Sequence, residues 1–347
     1  MRRIAFYPLL FLASALASRD ASRRVKMFVV SNQTNSIVTP EPADLAKAVT
    51  IGPCMNLPRE YPFLKCRHTE IAVSRTRFET ERVCGLLLNE FAVDESASAV
   101  AYRGNQRWVR SYESIKLDES GEPIRALRPH GVYVFVGNLK GAGSEIARFL
   151  VHSLKARLAV IQESGMCDAN TDLNFAKNSV PGSQPNGSLN RNRTSAEGLK
   201  QPEDDVMTIE ARLDDEKEMR LAVQRVVAKY GTVHGVVWDR ETLALNRIRT
   251  IGAHEYENSE EDFESCARSL AAMEAALEGL NLDWCVVLCS LASVIGNTRG
   301  SANAALDSFL EAYCANHNST SSHQWSIVNW DLQGQVGALR QGTPDAG

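Results

Sequence analysis

From about residue 130 onward the chain alternates short β-branched runs with segments of helical apolar period, and this alternation restricts the fold more than any other feature. The candidate strands are VYVFV (132–136), LAVI (158–161), MTIEA (207–211), GVVW (235–238), WCVVLCS (284–290) and WSIVN (325–329). Between them lie stripes at helical spacing: Ile146, Leu150, Val151 and Leu154, then Met219, Val223, Val226 and Val227, then Leu306, Phe309, Leu310 and Tyr313. Strands joined through helices pair in parallel. The pattern therefore predicts an α/β fold with a Rossmann-like, doubly wound parallel sheet and a ligand groove at the carboxyl ends of its strands.

One connection exceeds what a strand and a helix need. Residues 164–205 are rich in Asn, Ser, Gly, Pro and charge and have no apolar period, the composition of a flexible surface insertion. Upstream, VKMFVVS (25–31) reads as a strand, TRFETERVCGLLLNEFA (76–92) as an amphipathic helix, and AVAYRGNQRWVRSY (99–112) as a hairpin turning at 103–106. The stretch 117–131 reads as a linker, which divides the chain into domains at 1–129 and 130–340.

Composition excludes several function classes. A 347-residue chain with 44% hydrophobic and 23% charged residues can bury a core, and its net charge of −4 offers no basic footprint for nucleic acid. None of the eight cysteines forms a C-x-x-C pair; they read as small apolar core residues of a reduced cytoplasmic protein, and no metal site is expected. The first twenty residues, MRRIAFYPLLFLASALASRD, satisfy the pattern of a secretory signal peptide, and Asn32, Asn186, Asn192 and Asn318 lie in glycosylation sequons. The competing reading of PLLFLASALAS is a buried helix of a domain that starts there.

Gly137, Gly141 and Gly143 fall between a predicted strand and a predicted helix in VYVFVGNLKGAGSEIARFL (132–150). Such glycines let backbone N–H groups approach a pyrophosphate at a helix N-terminus; the alternative is a turn that only permits tight strand-to-helix packing. Lys140 within the turn could pair with a phosphate or crowd it.

This turn, KYGTVHGVVW (229–238), LDWCVVLCSLASVIG (282–296), SANAALDSFLEAY (301–313) and SIVNWDL (326–332), in that order, resemble the ketoreductase domain of modular type I polyketide synthases, a branch of the short-chain dehydrogenase/reductase superfamily. FYPLLFLASAL (6–16), IGPCMNLPREYPFLKCR (51–67) and AYRGNQRWVRSYESI (101–115) resemble the truncated, Rossmann-like structural subdomain that precedes the catalytic one. The resemblance covers almost the whole chain. It makes residues 6–16 the interior of a domain instead of a signal peptide and implies a cytoplasmic protein, with no membrane or nucleic-acid partner. It further implies NADP or NAD as cofactor and other polyketide synthase domains or an acyl carrier protein as partners.

In that family a hydride passes from NADPH to a β-keto acyl thioester, a tyrosine gives the proton, a serine polarises the carbonyl, and a lysine and an asparagine serve the relay. By resemblance Ser290 stands for the serine and Asn303 for the asparagine. The tyrosine position, four residues before Asn303, is Arg299, which cannot act as an acid at neutral pH. The segment between Ser290 and Asn303 is also shortened, and the helix that should carry the lysine has Leu270 or a neighbour there. The cofactor groove departs in the same direction, with Val136 opening the turn and Glu163 where a basic residue would meet the 2′-phosphate of NADP. A carboxylate there repels a phosphate but can accept from the free 2′-hydroxyl of NAD. Arg212 replaces the acidic residue after the third strand, and Trp238-Asp239-Arg240-Glu241 replaces small residues after the fourth. The expectation is a catalytically inactive domain with a structural or docking role, in which Ser290 and Asn303 are remnants. The alternatives are an active NAD(P)H-dependent ketoreductase with a displaced donor, and a regulatory dinucleotide-binding module using Gly137, Gly141, Gly143 and Glu163.

Overall fold

The computed structural model describes residues 5–330 apart from 20–22, 39–40, 75, 94–96, 117–125, 140–141, 165–205, 241–254, 297–299 and 322. The segment 164–205, Lys140, Gly141, Arg299 and Glu241 thus lie, in whole or nearly so, outside the described residues. Two sheets are formed, of four and six strands, and the chain divides into two compact units. Among the described residues no helix is long and apolar enough to cross a membrane.

The first unit begins with α1 (Tyr7–Arg19), whose Phe6-flanked inner side buries Tyr7, Leu10 and Ala13. Its sheet has the order β1 (Val25–Ser31), β2 (Leu64–Ile71), β3 (Ala99–Arg103), β4 (Gln106–Val109). The first three strands are parallel, and β3 and β4 form an antiparallel hairpin whose turn needs the left-handed Gly104, φ 61°. Two short helices, α2 (Leu45–Ala48) and α3 (Ile51–Glu60), precede β2. Between β2 and β3 runs α4 (Arg77–Ala92), started by a reciprocal cap: Thr76 Oγ1 accepts from the Glu79 N–H and Glu79 Oε2 from the Thr76 N–H, each at 3.2 Å.

This helix differs from the amphipathic element its sequence suggests. Its one fully buried residue is Glu90, while Phe78 and Leu88 face solvent. Glu90 anchors the helix to the sheet: Arg67 Nη1 donates to Oε1 at 2.8 Å, Arg107 Nε to Oε2 at 2.8 Å and Tyr102 Oη to Oε2 at 2.7 Å. Glu70 on β2 is buried likewise and accepts from Thr34 Oγ1 (2.5 Å), Asn35 Nδ2 (2.8 Å) and Arg103 Nη2 (2.7 Å). Buried carboxylates survive only with such complete pairing.

The second unit holds the larger sheet: β5 (Val132–Val136), β6 (Arg157–Glu163), β7 (Val206–Ala211), β8 (Gly235–Asp239), β9 (Trp284–Ser290) and β10 (Trp325–Trp330). Their order across the sheet is β10-β9-β8-β5-β6-β7, with the chain reversing direction of travel between β5 and β8. That is the doubly wound order, and the reversal marks the ligand crevice of such sheets. Helices α5 (Ala142–Leu154), α6 (Glu216–Tyr230) and α7 (Glu255–Leu277) cross between strands. One face packs Tyr133, Phe135, Leu158, Val160 and Val237 against Ala147, Leu150 and Val151 of α5. Gly235 lets the Trp284 indole lie on the sheet, since a Cβ there would stand 2.5 Å from Trp284 Cε2. The indole then stacks on Tyr133 at 5.4 Å and donates to the Ala126 carbonyl at 2.8 Å.

After β9 the chain forms α8 (Ala292–Ile295) and α9 (Ser301–Thr320), and both group with the first unit. At Gly52 a Cβ would stand 2.2 Å from the Ala305 nitrogen and 2.5 Å from the Ala304 carbonyl carbon, so α3 and α9 meet backbone to backbone. Gly52→Ala is expected to lower stability by roughly 1–3 kcal/mol through overpacking, read as a reduced urea midpoint; an unchanged midpoint contradicts the close crossing.

Acid sensitivity is a second expectation. Burial lowers the pKa of His68 from 6.5 to about 4, its ring bonded to Ser31 Oγ at 2.7 Å. The unfolded chain takes up this proton near pH 6.5 and the folded chain only near 4, so stability falls as pH falls across that window, by at most about 3 kcal/mol. Glu90 is held below the ordinary carboxylate value by Arg107 and, against the effect of burial, by Tyr102. In Glu70 burial pushes upward but the bonds from Thr34, Asn35 and Arg103 prevail, so both carboxylates extend the loss to lower pH. Urea titrations across pH should show the two limbs, and His68→Gln should flatten the upper one alone.

Candidate functional site

The crevice of a doubly wound sheet lies beyond the carboxyl ends of its strands, and the residues at those ends decide what it can hold. Beyond β5 the chain turns at Gly137, whose φ of 122° favours glycine, and the Gly137 N–H donates to the Ile161 carbonyl at 2.9 Å. That amide is committed to its neighbour strand. Gly143 lies in the first turn of α5 and is required by packing: a Cβ would stand 2.5 Å from Phe135 Cζ.

The same absent Cβ would stand 3.2 Å from Asp239 Oδ2. Asp239 ends β8, is 4% exposed, and places a carboxylate oxygen against the first turn of α5. Its neighbours Trp238 and Arg240 are buried too, Trp238 completely, and the Trp238 Nε1–H finds no acceptor among the described residues. Asp239 Oδ2 thus lies near the backbone of the first turn of α5 at Gly143.

Glu163 ends β6 and is half-buried. Its Oε2 accepts from the Leu213 N–H at 3.0 Å, a bond that ties β6 to the turn after β7. Burial raises its pKa; the Leu213 bond lowers it, Asp214 and Glu218 add to the rise, and Arg212 opposes them. Arg212 itself is turned onto the start of α6, where its Nε donates to Glu218 Oε1 at 2.9 Å and its Nη2 pairs with Asp215. Asp215 caps α6 by accepting from the Lys217 and Glu218 N–H groups at 3.0 Å each. The acidic surroundings of Glu163 are unfavourable to a further phosphate.

Ser290 ends β9 and is 8% exposed; its carbonyl accepts from Ser293 Oγ at 2.9 Å within the turn that opens α8. Asn303 sits half-buried in the first turn of α9. Both belong to the first unit, whereas Gly137, Gly143 and Glu163 belong to the second. Leu270, at the place where the resemblance expects a lysine, is buried in α7 at 4% exposure. Tyr313 lies on α9 with its ring 5.8 Å from His317.

Comparison with known proteins agrees with this architecture. The family model described as KR domain matches residues 131–333. A phenolphthiocerol/phthiocerol polyketide synthase polypeptide of Mycobacterium tuberculosis (strain CDC 1551 / Oshkosh) is 24% identical over 323 residues, 92% of this chain and 16% of that protein. A polypeptide of the same synthase from strain ATCC 25618 / H37Rv matches to the same extent. The chain therefore spans about one sixth of the length of the curated relatives it matches. Among solved structures, a ketoreductase domain from the bacillaene assembly line superposes with a TM-score of 0.64 at 16% identity, covering 95% of this chain and 71% of that one. A C2-type ketoreductase from a modular polyketide synthase gives 0.65 at 16% identity, with 93% and 62% covered. The adenylation, ketoreductase and pseudo Asub multidomain structure of a keto acid-selecting NRPS module gives 0.66 at 18%, with 96% and 26% covered. These structures share the fold, and the sequence match spans more than half of the chain: it belongs to the KR domain family.

Proposed function

We propose that this chain is a polyketide-synthase ketoreductase-like domain that does not reduce ketones and serves an architectural or docking role toward neighbouring domains or an acyl carrier protein. In this reading residues 1–129 are the structural subdomain and 130–340 the reductase-like one, and Ser290 and Asn303 are remnants of the catalytic set. The observation that carries the reading is the Asp239 carboxylate against Gly143 at the start of α5. A dinucleotide brings its pyrophosphate to a helix start of this kind, and a buried carboxylate there opposes a second anion. In this reading the Asp239 carboxylate disfavours a pyrophosphate at the start of α5. Arg299 in place of the tyrosine and the buried Leu270 in place of the lysine support the same conclusion.

A second reading is supported by Glu163. It ends β6, where a carboxylate can accept from a ribose hydroxyl, so a regulatory module that holds NAD is the alternative. Its acidic surroundings favour NAD over NADP.

The purified protein should not oxidise NADPH or NADH with a simple β-keto thioester above background, followed by absorbance, and turnover abolished by Ser290→Ala would refute the non-catalytic reading. Calorimetric titration with NAD and NADPH separates the two readings, since heat with NAD favours the regulatory module. If Asp239 is the obstacle, Asp239→Gly should raise NAD affinity about ten-fold or more, as expected for removal of one like-charge repulsion.

A further inference from the structure

The first unit contains a cavity of about 420 Å³ that plays no part in the readings above. Four of the residues that line it carry sulfur: Met27, Cys54, Met55 and Cys66. Met27 and Cys66 are register partners on the parallel strands β1 and β2, so their side chains leave the same face of the sheet. Cys54 and Met55 are consecutive on α3, which packs on β2. The two thiols are close enough to hydrogen-bond, the Cys54 S–H donating to Cys66 Sγ. Met27, Cys54 and Cys66 are all at least nine-tenths buried.

We propose that these four residues form a binding site for copper(I), with the Cys54 and Cys66 thiolates as ligands and the Met27 and Met55 thioethers beside them. Two thiolates with thioether support suit a soft, monovalent d¹⁰ ion of low coordination number. Zinc prefers four tetrahedral ligands, and no cluster of three or more His, Cys, Asp or Glu able to hold a metal occurs among the described residues. Binding exchanges two S–H protons for one Cu⁺ and needs no electron transfer, leaving a bis-thiolate complex of charge −1. Arg59, on α3, lines the same cavity and supplies compensating positive charge.

The test uses the full, reduced chain under anaerobic conditions, with copper(I) supplied from an excess of a coloured bicinchoninate competitor. Wild type and Cys84→Ser, which alters an exposed thiol outside the cavity, should each retain one copper(I) with ultraviolet thiolate-to-copper absorption. Cys54→Ser and Cys66→Ser should retain copper at least ten-fold more weakly and lose that absorption. Equal retention by wild type and the two serine variants, or none by wild type, would overturn the site. If the serine variants fail to fold, the volume-conserving pair Met27→Leu with Met55→Leu decides: about ten-fold weaker retention is expected, and unchanged affinity overturns the four-sulfur assignment.

Discussion

The contact between α3 and α9 at Gly52 is the constraint on which the first unit rests. With no side chain at that position, the backbone of α9 comes close enough for any Cβ to collide with Ala304 and Ala305. Polar contacts extend the seam: Asn316 on α9 donates to the Ala43 carbonyl and accepts from the Ala43 N–H, both at 2.8 Å, and Glu311 pairs with Arg110 at 3.1 Å. The helix that follows the shortened segment after Ser290 is thereby fixed to the N-terminal elements by packing and hydrogen bonds. Such a scaffold has no need of catalytic side chains to persist.

Buried charge is handled in two ways within this chain. In the first unit Glu70 is held by Arg103, Thr34 and Asn35, and Glu90 by Arg67, Arg107 and Tyr102, an arrangement that orders α4 and the hairpin around β2. At the end of β8, Asp239 and Arg240 are buried where a cofactor-binding sheet needs open space. The first arrangement fixes a structure; the second brings a carboxylate oxygen near the first turn of α5. The core of Tyr133, Phe135, Leu158 and Val237 reaches the crevice at Gly143, where a Cβ would stand 2.5 Å from Phe135 Cζ.

The larger sheet was largely legible in the sequence because parallel strands buried on both faces are continuous apolar, β-branched runs, as at 132–136 and over most of 284–290; the half-exposed strand 25–31 also coincides, and Thr76 announces the start of α4. The role of α4 was not legible. Its apolar residues suggest a core face, yet the residue it buries is a carboxylate whose partners Arg67, Tyr102 and Arg107 come from distant strands. Among the site residues, Glu163 was legible by its place after β6 but not its bond to Leu213, which depends on how the turn after β7 folds back. Asp239 was recognisable as out of keeping with a cofactor groove, while its approach to Gly143 follows from the β5–β8 pairing, a long-range feature that no local window contains. Arg299 and Gly141 lie outside the described residues.

The grouping of α9 with α3 has a consequence for biosynthesis. Ribosomes release chains from the N-terminus, and a contiguous domain can close as soon as its last residue emerges. Here β1 to β4 are made early, but the helix that seals α3 begins only at Ser301, after β5 to β9 have been synthesised. The N-terminal elements remain unsealed at Gly52 while β5 to β9 are translated, and the six-stranded sheet in turn lacks its edge strand β10, made after α9, so each unit waits for a segment synthesised after β9.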